Sequence, residues 1–400
     1  MNGRQTTRWA TIVTLALLGG ACGDTAATPG PTRSLGVADV LGGTADGAAG
    51  FLRATTVPTL HFPRDHGAHP GFRTEWWYIT GNLTSEAGRR FGVQLVFFRQ
   101  ALAPPLADGS TRAASLAARE VILAHAAVTD VDGKRFFAEE QLARAAAGVA
   151  LVRGPEESSG AAEPFVVACG NWSARAEAGG DGFLPMKLKV AAAEFAFTLQ
   201  LGAGKPPVLQ GDRGLSQKSG EAGNASIYYS LTRVPIGGTI AVGDPPMHQV
   251  QGEAWIDREW STAVLDGAQI GWDWFSLQLD NGEDLMWYRL RRRDGGHDPW
   301  SRGCLVARDG TARPLLPTQV EAIPDGQWVA ADGRARYPAR WRLRASEPAF
   351  DLLVEPLLAD QELRVLVRYW EGAVAVRGTR GGAAVTGRGY VEMTGYATAR

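Results

Sequence analysis

The sequence predicts an all-β protein of about two domains, assembled as antiparallel sandwiches or barrels. Three observations carry this reading. Almost no stretch keeps a helical period, whereas short alternating or β-branched runs recur throughout the chain. Turn signals separate those runs, in a chain with 50 Gly and 22 Pro. At 400 residues, 45% hydrophobic and 21% charged, the chain can bury a sizeable core and exceeds what one core usually fills. The net charge of −1 comes without a basic patch or charge run, which argues against a nucleic-acid partner.

The first segment is read as a targeting signal, not as part of the fold. Arg4 and Arg8 precede an apolar run from Trp9 to Leu18, followed by Gly19-Gly20-Ala21-Cys22. The run is too short for a standard membrane span. Small residues before Cys22 suit a bacterial lipoprotein in which that cysteine is lipidated; a cleaved soluble form is the competing outcome. The expected organisation is a signal peptide over 1–21, a polar tether over 22–55, and domains over 56–240 and 241–400. The domain boundary rests on the turn-rich stretch Pro235-Ile236-Gly237-Gly238-Thr239 through Gly243-Asp244-Pro245-Pro246. The protein is expected to be exported, to the cell envelope or periplasm. Cys169 and Cys304 then either pair in an oxidising compartment or remain as two buried thiols.

The strands follow in order. Glu75 to Leu83 and Phe91 to Gln100 make a hairpin across Thr84-Ser85-Glu86-Ala87-Gly88. Val121 to Val128 leads through Asp132-Gly133 to Lys134–Phe137. Phe165 to Cys169, Trp172 to Ala176, Lys187 to Val190 and Phe195 to Leu201 continue the pattern. Ile270 to Leu279 and Asp284 to Leu290 flank Asn281-Gly282, a tight-turn signal. Trp341 to Leu343, Leu363 to Trp370, Val374 to Val376 and Gly389 to Tyr396 close the chain. Arg258 to Leu265 is a short helical candidate.

The chemical signal is a pair of aromatic segments with carboxylates set into them. One is Thr74-Glu75-Trp76-Trp77-Tyr78-Ile79-Thr80-Gly81-Asn82-Leu83. The other is Gly252-Glu253-Ala254-Trp255-Ile256-Asp257-Arg258-Glu259-Trp260, followed by Gly271-Trp272-Asp273-Trp274. If Trp255 begins in a strand, Trp255, Asp257 and Glu259 share one face, and Ile256 and Arg258 share the other. Aromatic walls raise a carboxyl pKa by desolvation, and a second acid raises it further, so Asp257 becomes a proton donor for an alkene or enol. The competing reading pairs Asp257 and Glu259 with Arg258 or Arg289 in a structural network. His248, just before this strand, is either a proton partner or an exposed loop histidine. Glu75 shares a face with Trp77 and Ile79, as a second pocket acid or as a partner for Arg73 or Arg99.

Trp76, Trp77 and Tyr78 cannot all face one way, so this segment is a candidate interdomain contact. One of Tyr228 and Tyr229 should face inward. Trp255, Trp260, Trp272 and Trp274 are counted with them as pocket walls. His66, in Asp65-His66-Gly67-Ala68-His69, lacks the ligand set of a zinc site and is expected to close the barrel mouth. No metal site, phosphate loop, nucleophile elbow or Ser/His/Asp set is read here.

These residues carry a resemblance. His61-Phe62-Pro63-Arg64-Asp65-His66, Glu75 to Leu83, Phe91 to Arg99, Tyr228-Tyr229-Ser230, Gly252 to Trp260 and Gly271 to Phe275 are similar to the family that joins carotenoid 1,2-hydratases with AttH-type lipocalin-like proteins. Tyr369-Trp370-Glu371-Gly372 and Gly387 to Tyr396 also fit, so the likeness spans roughly Leu60 to Tyr396. It implies two tandem lipocalin-like antiparallel β-barrels, a hydrophobic guest and no cofactor. The hydratases add water to terminal double bonds of acyclic carotenoids, and related fungal members fold polyenes. Asp257 matches an acid thought to act in the hydratases. They carry Tyr where this chain has Trp255, and Ile227-Tyr228-Tyr229 replaces a His-x-Trp pattern, which places the chain nearer the AttH side.

Two function classes stand after this reading. One is a cofactor-free lyase or isomerase with Asp257 as acid and Glu259 or His248 orienting water. The other is a non-catalytic carrier of a polyene, isoprenoid or lipid at the cell envelope; an envelope-assembly scaffold is a further class. The working cavity is expected in the N-terminal barrel, with a lid from the start of the second.

Overall fold

A computed structural model describes residues 48–105, 119–145, 148–154, 164–243, 246–263 and 265–397. The expected signal peptide, Cys22 and most of the tether lie outside the described residues. Among the described residues there is no α-helix; a 3-10 turn lies at Arg64–His66. No helix among them is long and apolar enough to cross a membrane.

The chain forms two antiparallel sheets, each curled into a lipocalin-like barrel. The first takes β1 (Thr74–Ser85), β2 (Arg90–Ala101), β3 (Glu120–Asp130), β4 (Arg135–Arg144), β5 (Ala150–Arg153), β6 (Val166–Cys169) and β7 (Trp172–Ala176). It continues through β8 (Met186–Ala191), β9 (Phe195–Leu201), β10 (Val208–Leu209), β11 (Leu215–Gln217), β12 (Ala225–Val242) and β13 (Met247–Ser261). Its order is β4-β3-β2-β1-β13-β12-β9-β8-β7-β6-β5, with β10 and β11 also on β12. The curl brings β6 against β3, where the Cys169 thiol reaches the Ile122 carbonyl at 3.5 Å.

The second sheet takes β14 (Gln269–Leu279), β15 (Asp284–Arg292), β16 (Arg302–Val306), β17 (Ala312–Leu315), β18 (Val320–Val329), β19 (Arg336–Ser346), β20 (Ala349–Pro356), β21 (Glu362–Arg364), β22 (Arg368–Arg380) and β23 (Ala383–Met393). Its order is β17-β16-β15-β14-β23-β22-β20-β19-β18, with β21 on β22. Gly282, at φ 86°, supplies the left-handed residue that the tight β14–β15 turn needs.

Each barrel has its own core, Trp77, Phe97, Trp172 and Leu199 in the first and Phe275, Trp287, Trp341 and Leu352 in the second. Each such side chain contributes roughly 1.5–3 kcal/mol relative to exposure. A third apolar cluster lies between the barrels and mixes residues of both, including Tyr78, Val96, Tyr228, Trp255, Trp274 and Tyr288.

Three expectations are corrected. The turn-rich stretch 235–246 is no boundary: β12 runs through 240 and pairs with β13 from Ser226↔Ser261 to Ala241↔Met247. The passage from one sheet to the other falls at 262–268. Arg258 to Leu265 is not helical, because residues 258–261 finish β13 and are paired on both sides, to β1 and β12. A lone helical turn would forfeit both ladders, and helices this short are marginal. Leu363 to Trp370 is two strands, β21 and β22 folding back with Glu362 opposite Trp370. Cys169 and Cys304 lie in different sheets, both buried and unpaired.

Candidate functional site

The strand register builds the site. Across the first sheet, one row of opposed residues reads Leu123, Phe98, Trp76, Glu259 and Tyr228. The next reads His125, Val96, Tyr78, Asp257 and Ser230. Residues in register share a face, so both rows point away from the first core and towards the second sheet. There the opposing rows are Leu290 with Trp272, and Tyr288, Trp274, Glu392 and Glu371. Between them lies a chamber walled chiefly by aromatic and aliphatic side chains.

A β-bulge lets β12 serve both the core and the chamber. Before it, Ile227, Tyr229 and Leu231 face the first barrel, while Tyr228 and Ser230 face the chamber. The register shifts between Leu231 and Val234, and the core-facing positions become even-numbered: Val234, Ile236 and Ile240. The extra residue inverts the alternation. It also turns Thr232 and Arg233 towards Asp284 of β15, at 2.7 and 2.6 Å.

Asp257 lies in the chamber floor, 4% exposed. Its carboxylate accepts from Tyr228 Oη at 2.6 Å, Ser230 Oγ at 2.6 Å and Trp255 Nε1 at 2.7 Å. All three donors are neutral. Burial raises its pKa to about 7, against the pull of those hydrogen bonds, and the charge of Glu259 adds a smaller upward push. Tyr228 Oη in turn accepts from Trp274 Nε1 at 3.1 Å, so one wall fixes the orientation of the other's acid. Burial and the nearby Asp257 hold the Tyr228 hydroxyl well above its usual pKa.

Glu259 is built differently. It accepts from Ser226 Oγ and lies 3.1 Å from Lys218 Nζ. Burial opposes the charge on Lys218, but Glu259 and Tyr288 outweigh it and raise the ammonium pKa. Lys218 also lies 4.3 Å from the centroid of the Tyr288 ring. Glu259 is thus half of an ion pair in the chamber wall, not a second free acid beside Asp257.

A model of the AttH-like family matches residues 53–396. The chain belongs to the AttH-like family. The crystal structure of a Nitrosomonas europaea protein described as an AttH is similar at 34% identity and a TM-score of 0.74, covering 87% of this chain and all of that one. Kievitone hydratase from Nectria haematococca shares the fold at 15% identity and a TM-score of 0.64, covering 87% of this chain and 96% of that one. No curated protein matches the chain.

Of the sequence-selected residues, this AttH-like chain brings Tyr228, Asp257, Glu259, Trp272 and Trp274 into the chamber, with Trp255 bound to Asp257. The chamber lies between the barrels, not inside the N-terminal one. His248 does not reach it: nine residues before Asp257 on an extended strand, it sits against Phe91 and 3.5 Å from Arg89. Trp77 and Trp260 point to the other side of their strands. Tyr229 does too, and its hydroxyl meets His66 Nδ1 at 2.6 Å. His66 stacks on Phe183 at 4.1 Å, and burial, then Arg258, lowers its pKa to about 3.

Glu75 is a structural partner. It holds Arg99 at 3.1 Å, Arg258 at 2.7 Å and His69 at 2.7 Å. Burial alone would raise its pKa, but His69 and Arg258 hold it well below the usual range.

Lys218, His125, Tyr369, Glu371 and Glu392 carried no assigned chemistry in the sequence. The motifs Tyr369-Trp370-Glu371-Gly372 and Tyr390-Val391-Glu392 repeat the acid-among-aromatics pattern that marks Asp257, and that signal could have flagged the two glutamates.

Proposed function

We propose that this protein is a cofactor-free acid catalyst that protonates a double bond or enol of a hydrophobic small molecule, with hydration as the leading reaction. Double-bond isomerisation or cyclisation would use the same first step. Asp257 carries the reading: an acid buried among neutral donors, close to half protonated at neutral pH, in the floor of an aromatic chamber. Its proton passes to the alkene carbon as the π pair forms the new C–H bond. The ring faces of Trp76, Trp272 and Trp274 suit the resulting cation. A water oxygen then closes the C–O bond, and the proton it sheds passes to a carboxylate of the chamber wall. The fungal neighbour bears the name of a hydratase, and its likeness supports the scaffold.

The guest is proposed to be a polyene, isoprenoid or other lipid-like molecule, from the apolar walls. Export, with lipid attachment at Cys22, remains a proposal from the sequence; the intact mass of protein from its own host would show the added acyl groups. Native mass spectrometry of that material would identify a retained guest. With the guest in hand, Asp257→Asn should keep binding and lose turnover by a factor of about a hundred or more. Unchanged turnover would remove Asp257 from the chemistry, and no turnover in either protein would leave a carrier.

A further inference from the structure

Two carboxyls of the second sheet stand in one cross-strand row with no ion pair to a cation among the described residues. Glu371 on β22 and Glu392 on β23 are directly opposed, a placement that brings side chains within about 5 Å at the β-carbons. Glu371 is buried and Glu392 half-buried, and Glu392 lines the chamber while Glu371 stands behind it. Trp272 Nε1 donates to Glu392 Oε1 at 2.8 Å, and Tyr78 Oη donates to Glu371 Oε1 at 2.5 Å. Glu371 Oε2 is buried and has no donor. An acidic hydrogen on that oxygen, given to Glu392, satisfies both atoms.

We propose that Glu371 and Glu392 hold one proton between them, and that Glu392 takes the proton of the water that adds to the alkene. This rests on the acid catalysis assigned above to Asp257. The two functions then sit on opposite walls: Asp257 in the first sheet gives a proton to carbon, and Glu392 in the second receives one from oxygen. As water's lone pair forms the C–O bond, its O–H bond breaks towards Glu392. One proton has left Asp257 and one has arrived at Glu392, so exchange with solvent through the mouth resets both. Glu392 is the catalytic residue of the pair, and Glu371 positions its proton.

The surrounding groups favour sharing. Burial, then the charge of Glu392, raises Glu371 well above the usual range, and burial raises Glu392 to about 7. Facing them are Tyr78 from β1, Asp257 and Glu259 from β13, and Tyr369 and Tyr390 from their own strands. His125 of β3 is buried and held neutral, and Glu140 of β4 is more distant, acting on Tyr369. Lys218, the chamber's cation, is engaged by Glu259.

The test begins without a substrate. pH-difference infrared spectroscopy of the full chain reads buried protonated carboxyls, comparing wild type with Glu371→Gln, Glu392→Gln and Asp257→Asn. We expect Glu392 to titrate near pH 7 in wild type and about half a pH unit or more higher in Glu371→Gln, where an amide replaces the acid proton that Glu371 donates to its carboxylate. Tyr78→Phe, which removes an opposing donor, should move the pair upward and serves if Glu371→Gln does not fold. A Glu392 band unmoved by both changes overturns the shared proton.

Turnover is then followed with geranylgeraniol in D₂O, reading deuterium on carbon and the added oxygen. Glu392→Gln should lose at least tenfold in product and lose the rise of rate with pH, with Glu392→Asp restoring part of both; Glu371→Gln should shift that rise to higher pH. Full activity in Glu392→Gln sinks the base role while leaving Asp257 as acid. No deuterium incorporated by wild type sinks the catalytic reading of both walls, and the infrared result alone then decides the pair.

Discussion

Asp257 is the residue on which chemistry and stability meet. Its pKa is about 7 when folded and about 4 when the chain is unfolded. The folded state therefore binds more protons between those values, and the group's favourable contribution is complete below pH 4 and lost as pH rises through 7. Asp257→Asn removes this dependence. Wild type should lose stability relative to the variant by up to about 4 kcal/mol between pH 4 and 8, read from urea midpoints. Depressed acids such as Glu75 are common to both proteins and cancel in the difference. An identical pH profile for the two proteins would mean that Asp257 is solvated. The alternation Trp255-Ile256-Asp257 made its company legible in the sequence. That neutral groups alone donate to its carboxylate was not legible, because that depends on β12 placing Tyr228 and Ser230 alongside.

At the scale of elements, β13 separates two kinds of acid environment by alternation alone. Its odd residues Asp257 and Glu259 face the chamber, while Arg258 faces the first barrel and meets Glu75. Arg99 and Arg258 have fully buried side chains, and each relies on the Glu75 carboxylate. Glu75→Gln should cost about 3–5 kcal/mol, the range for stranding a buried charge. A denaturant midpoint checks it; a change under 1 kcal/mol would show that Glu120, 2.7 Å from Arg99, and the backbone carbonyls satisfy the guanidiniums without Glu75. Most strands were readable from period and turn chemistry. The errors cluster where both faces of a strand are buried and its charged residues read as a solvated helical turn, as at the end of β13, and where glycines inside a long hairpin imitate a linker, as in β12. Tyr229 and Trp260 were assigned to the pocket for the same reason: aromatic residues on both faces conceal which one lines it.

Across the whole molecule, the chamber exists because the barrels approach closely. Gly92 of β2 is one reason. A β-carbon there would meet Tyr390 Oη at 2.5 Å and Ala373 Cβ at 2.7 Å, the latter attached directly to the backbone of the second sheet. Nearby, Thr129 Oγ1 donates to Gln361 at 2.7 Å and Asn82 Nδ2 to the Gly389 carbonyl at 3.2 Å. Gly92→Val should wedge the sheets apart, cost about 1–3 kcal/mol and admit water to the chamber. The Asp257 pKa should then fall towards 4, as read by carboxyl infrared titration; a value still near 7 would show that its desolvation is local to the first sheet. The sequence suggested an interdomain contact at Trp76–Tyr78, and both residues line the chamber. Only the pairing of distant strands could bring Glu371 and Glu392 to face Asp257.

Residues 74–261 supply one wall and 269–393 the other, each as an uninterrupted stretch of chain. A chimera joined within 262–268 therefore inherits its proton donor from one parent and its opposing surface from the other. Recombination at that point offers a route to new guests that leaves the acid and its three donors, Tyr228, Ser230 and Trp255, untouched.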